Sequence, residues 1–189
     1  MNPHDRLLLD AAKAGDTDAV RAALAAGAAL ETRDEDLRTP LLLAVLGDHL
    51  QVAEVLVAAG ADPNAPDSRA DSPWLVTGVT GSVRMMRALL PAGPDLTQRN
   101  RFGGISLIPA AERGHVGYVR AVLAETDIRV DHVNRLGWTA LLEAVILGDG
   151  GYRHDEVVRL RLDAGAAPRR AAATGAGEVT PRPDPQAAP

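Results

Sequence analysis

Apolar residues in this chain come in short helical bursts separated by polar, glycine-marked breaks. Leu7, Leu8, Ala11 and Ala12 stand at helical spacing, Gly15-Asp16 interrupts them, and a second burst follows from Asp18 to Ala26. Asp16 or Thr17 can cap that second helix. The alternation returns from Pro40 to Gly60 and again further along. It predicts pairs of short helices from about Leu7 to Ala164, with no extended sheet.

The bursts are periodic. Thr39, Ser72, Ile105 and Thr139 open successive units 33 to 34 residues apart. Nine positions on stand Gly15, Gly81, Gly114 and Gly148, with Asp48 in the second unit. Gly27, Gly60, Gly93 and Gly165 close the second helices, with Thr126 in the fourth unit. Asp34, Asp67, Asn100 and Asn134 lie five residues before each opening. Three columns held in register mark a repeat.

The second unit, DEDLRTPLLLAVLGDHLQVAEVLVAAGADPNAP, resembles the ankyrin repeat, whose signature is a TPL-like start and a period of about 33 residues. The resemblance implies an all-α solenoid of stacked helix-turn-helix units with projecting turns. It divides residues 1–167 into five units, at about 4–33, 34–66, 67–99, 100–133 and 134–167. NRFGG and NRLGWTALLEAVILGDGG resemble a bacterial branch of the family. The histidine that commonly follows TPL is replaced here by Leu42, Leu75, Ile108 and Leu142.

The units differ in quality. Arg6, Asp10 and Lys13 make the first a polar end cap, which a terminal repeat needs. Pro40 suits the first turn of its helix, and Gly60 a left-handed helix end. Trp74, Met85 and Met86 occupy core columns. Gly78 inside a helix costs roughly 1 kcal/mol relative to Ala, and Pro91 should end its helix early, so the third unit is expected to be the weakest. Pro109 is expected to kink the first helix of the fourth. About five residues near Gly150 to His154 are inserted between the helices of the fifth, and one extra residue lies near Thr126 to Asp131. Arg161 falls in the column of Leu56, Leu89 and Val122. An exposed last helix, with weak self-association at the C-terminal end, would accommodate its charge. Residues 168–189, rich in Ala, Pro and Gly, are expected to be disordered.

Composition narrows the function. Only five of 189 residues are aromatic, so the core must be Leu, Val and Ala. The formal charge of −5 favours neither nucleic acid nor an anionic membrane. Cysteine is absent, which excludes disulfides and thiolate chemistry. The N-terminus does not read as a signal peptide, and no run approaches the roughly 20 apolar residues of a membrane span. A cytoplasmic protein is the simplest expectation.

No motif specifies catalysis, a cofactor or a metal. His154-Asp155-Glu156 has no second histidine at ligand spacing and reads as a solvated helix start. Gly148 to Gly151 follows a helix and lacks the lysine of a phosphate loop. Glu143 has no paired carboxylate in the pattern. His49 and His115 share a helix-start column. The alternatives are an enzyme or small-ligand protein using the 143–156 region, or an array fragment with no independent role.

The resemblance implies that another protein docks on the projecting turns and the concave helices, as for an adaptor or regulator. The first two turns are acidic, with Glu31, Asp34, Glu35 and Asp36, then Asp62, Asp67 and Asp71. The next two carry Arg99 and Arg101, then Arg129 and Arg135. Candidate partner-binding residues are Arg99, Arg101, Phe102, Arg135, Leu136 and Trp138, because Arg and Trp are enriched where interface energy concentrates. The competing expectation is that Phe102, Leu136 and Trp138 only cover one another between turns.

Overall fold

The computed structural model describes residues 2–148 and 151–166. These form helix pairs and no strand: α1 (Pro3–Ala14) with α2 (Thr17–Ala25), α3 (Pro40–Leu46) with α4 (Leu50–Ala58), α5 (Pro73–Thr80) with α6 (Val83–Leu89), α7 (Leu107–Glu112) with α8 (Val116–Glu125), and α9 (Ala140–Ile146) with α10 (Tyr152–Asp163). A 3-10 turn, Leu90–Ala92, follows α6 and contains Pro91, where the α-helix was expected to stop. The expected disorder of 168–189 lies outside the described residues.

Each pair stacks on the next. The odd helices pack in order from α1 to α9, and the even helices from α2 to α10. Helices of six to twelve residues are too short to persist alone in water. Burial of their apolar sides in one continuous core, from Leu8 to Val157, holds them. Trp74, Met85 and Met86 are fully enclosed in it. On α1 the buried stripe is Leu8, Leu9, Ala11 and Ala12. Leu7, expected inside, lies outside that arc and is exposed.

Side chains fix several of the helix starts. Asn2 and Asp5 form a capping box, and Asp16 accepts from Ala19 N at 2.9 Å. Thr39, Ser72 and Thr139 accept from the backbone N–H of Leu42, Leu75 and Leu142. Pro40 and Pro73 stand where their missing N–H is needed by no bond. The fourth pair departs from the pattern. Its helix opens one residue later, with Ser106 at the cap position and Ile105 in the core. Pro109 is thus the third helical residue, where an N–H has no intrahelical acceptor in any helix. The ring removes no bond there, so the expected kink has no cause.

Histidines tie the pairs together. His49 Nε2 lies 3.1 Å from Lys13 O, His115 Nε2 3.0 Å from Val79 O, and His154 Nε2 3.0 Å from Glu112 O. Each carbonyl sits in the last turn of the preceding pair's first helix, where carbonyls lack helical partners. A carbonyl only accepts, so each imidazole carries its proton on Nε2. His154 therefore does the work of His49 and His115 despite the insertion before it, and is half-buried. Its place at a helix start stands, while its reading as solvated is corrected.

Arg161 is corrected as well. It is 0 % exposed, so the last helix does not place it in water. Its Nη2 donates to the Val130 carbonyl. Burial lowers its pKa to about 10, with Asp131 opposing. Nε and Nη1 have no hydrogen-bond partner among the described residues.

Candidate functional site

Four projecting turns share one construction. Asp34, Asp67, Asn100 and Asn134 each accept, through one side-chain oxygen, from the backbone N–H two and four residues on. The backbone N–H of each donates to the carbonyl four residues on, as Asn134 does to Trp138 at 2.9 Å. The residue three places on takes a positive φ. It is Gly103 and Gly137 in the later turns, but Leu37 (φ 61°) and Ala70 (φ 61°) in the earlier ones. The column of Asp and Asn is thus the template of the turn edge.

This use consumes much of the acidity expected of the first two turns. Asp67 is buried, and Asp34 is paired with Arg38 at 2.8 Å. Burial alone would raise the Asp34 pKa, but the hydrogen bonds from the Arg38 backbone and guanidinium prevail and hold the carboxyl low. Glu31 accepts from Asp62 N, and Asp62 from Asn64 N. Glu35 and Asp36 remain exposed, though Arg38 also reaches Asp36 at 2.9 Å. Burial, then Asp67, push the Asp71 carboxyl up, while Arg69 and Arg101 pull it down.

The third and fourth turns are bound to each other. The Arg101 guanidinium lies over the Phe102 ring, 4.7 Å from its centroid. Arg135 N donates to Phe102 O at 3.0 Å, and Arg135 Nη1 to Arg101 O at 3.0 Å. Arg101, Phe102 and Arg135 are therefore brought together, with both arginines exposed and Phe102 half-buried. Leu136 stands beside them, 54 % exposed. Trp138 is half-buried and closes its turn through its backbone, while Arg99 is exposed at the approach to the third turn. Sequence reasoning missed that the Arg135 side chain is itself a strut between turns.

Among the described residues of the 143–156 region, the glutamates are engaged in hydrogen bonds rather than forming an open pair. Glu143 is buried and accepts from Asn134 Nδ2 at 3.0 Å. Glu156 accepts from Arg120 at 2.9 Å. Among the described residues no group of three or more His, Asp or Glu could hold a metal. No described helix is long and apolar enough to cross a membrane.

Comparison with known proteins agrees with this architecture. A family profile described as ankyrin repeats (3 copies) matches residues 2–67. The ankyrin repeat protein YahD of Escherichia coli (strain K12) is 42% identical over 166 residues, covering 88% of this chain and 82% of the relative. A crystal structure of an ankyrin repeat domain from Acinetobacter baumannii AYE superposes with a TM-score of 0.81 at 45% identity, covering 85% of this chain and 82% of that one. A second solved ankyrin repeat protein, EF0377, gives 0.82 at 36% identity, over 86% and 83% of the two chains. The turn template, the stacked pairs and a relative matched over most of its length lead to one conclusion: the chain belongs to the ankyrin repeat family.

Proposed function

We propose that this chain is an adaptor or regulator acting in the cytoplasm, binding a partner protein through its turn edge and concave face. Ankyrin repeats are modules of protein–protein interaction. The hot spot we assign is Arg99, Arg101, Phe102, Arg135, Leu136 and Trp138. The observation that carries this reading is the Arg101–Phe102–Arg135 cluster. Two guanidinium groups on adjacent turns are held by a ring face and a backbone carbonyl, yet remain exposed. Side chains already fixed lose less freedom on binding. A guanidinium pairs well with carboxylates, so the partner offers acids spaced one repeat apart with an apolar side chain between them, to meet Leu136.

The test is capture of partners from the native host by the wild-type chain and by an Arg101→Glu, Trp138→Ala variant. A specific partner retained by wild type and lost by the variant, with the helical signal unchanged, is expected. Equal retention by both would place binding elsewhere. Affinity for the partner should fall as salt rises without vanishing.

A further inference from the structure

Interior repeats show how this array uses the outer side of each unit. Val45, Gly78 and Ala111 hold equivalent places on α3, α5 and α7, and all three are buried. Val145, their counterpart on α9, is 60 % exposed. Ala53, Met86 and Val119 on the second helices are fully buried, whereas their counterpart Val158 is only partly so. Leu162 is 45 % exposed. The outer side of α9 and α10 thus presents the apolar columns that stacking covers elsewhere.

The charges follow the same rule. Arg87 binds Glu125 of the following repeat at 2.6 Å, and Arg120 binds Glu156 of the following repeat at 2.9 Å. Arg159 comes next in that column. Among the described residues it meets Glu156 of its own helix, at 4.0 Å. The face therefore carries an apolar stripe flanked by an arginine whose column takes an acid from a neighbour.

We infer that this face is closed by the same face of a second copy, in a two-fold pair. Residues 167–189 contain one branched aliphatic side chain, Val179, and so offer little apolar cover. The opposite end of the array exposes one large apolar side chain, Leu7, so a head-to-tail contact finds less apolar surface there than the stripe finds in a copy of itself. A two-fold contact pairs the stripe with itself. With α10 antiparallel to its copy, Val158 packs on Leu162 of the second chain. Arg159 then comes within two residues, about 3 Å along the axis, of Asp163 of the second chain. Both lie on the same flank of α10, so each copy supplies the acid the other's arginine column takes. The buried Arg161 plays no part in this contact.

Sedimentation of the full chain over a wide concentration range tests the inference. A reversible dimer is expected. Val145→Lys with Leu162→Lys should give a monomer whose circular dichroism is unchanged, since both side chains are exposed within one copy. Leu46→Lys, at an exposed position on α3 away from this face, should leave the dimer intact. Arg159→Asp should weaken association at least tenfold, and adding Asp163→Arg should restore it. A wild-type chain that stays monomeric at the highest concentration overturns the inference. So does a dimer indifferent to the paired lysines, or open-ended assembly in place of a dimer. If the lysine variant fails to fold, the Arg159 and Asp163 exchange decides, because both residues are exposed.

Discussion

Gly78 on α5 lies against the backbone of Ser106 in the next repeat, so closely that a Cβ on Gly78 would sit 1.9 Å from the Ser106 carbonyl oxygen. The glycine that makes α5 look weak in the sequence is what lets the third and fourth repeats close. Alanine would gain about 1 kcal/mol of helix propensity, but the obstruction is backbone and cannot swing aside. Overpacking of this kind costs about 1–3 kcal/mol, and a backbone clash belongs at the upper end. Gly78→Ala should therefore destabilise the chain by about 2 kcal/mol net. A denaturant midpoint that rises instead would show that the two repeats separate easily.

Leu37 and Ala70 hold the positive φ that Gly103 and Gly137 hold in later turns. A left-handed conformation costs a residue with a Cβ roughly 1–2 kcal/mol. Glycine relieves this but gives some back through greater freedom in the unfolded chain. Leu37→Gly should raise stability by up to about 1 kcal/mol, and Ala70→Gly similarly. Urea unfolding of each variant checks this, and a loss in both would mean that the exposed Leu37 side chain or the turn itself is held by something else.

His115 should make stability depend on pH. Burial lowers its pKa below the ordinary 6.5, Arg113 and Arg153 add to this, and the bond to Val79 O opposes it. The folded state therefore resists protonation more than the unfolded state. Its contribution is complete above 6.5 and is lost as pH falls through the folded value. The unfolding midpoint should drop between neutral pH and about pH 5. His115→Gln, which keeps a donor for Val79 O without titrating, should flatten that slope. An unchanged slope would assign it to other groups.

What the sequence reveals and what it hides divide along a physical line. Columns set by local backbone chemistry are readable: Asp16 capping its own helix, Pro40 in the first turn of its helix, Gly60 in the left-handed region. Each needs only residues within a few positions. Gly78, His154 and Arg161 are not readable in this way, because their partners Ser106, Glu112 and Val130 lie 28 to 42 residues away. A glycine in a helix looks like a weakness until the opposing carbonyl is known. In the binding edge, the residue types were visible, but the strut from Arg135 to the Arg101 carbonyl was not, since it joins neighbouring repeats.

Arg161 offers the sharpest test of how the last repeat is held. Its column is filled by Leu56, Leu89 and Val122 in the preceding repeats, all fully buried, and Arg161 is buried too. One bond to Val130 O and the nearby Asp131 only partly offset the loss of water, as the pKa lowered to about 10 reflects. Replacing a buried charge by an apolar residue of similar volume is often stabilising by about 1–4 kcal/mol. Leucine fits the column, and Val130, whose carbonyl is freed, is itself partly exposed. Arg161→Leu should therefore stabilise the chain by about 1–2 kcal/mol, and Arg161→Ala should destabilise it by leaving a cavity. Self-association should be the same in both, because the side chain points inward. Denaturant unfolding and sedimentation on the same samples separate the two effects. If Arg161→Leu lost stability as Arg161→Ala does, the guanidinium would be holding the loop at Val130 in place, and its burial would be a structural requirement of the last repeat.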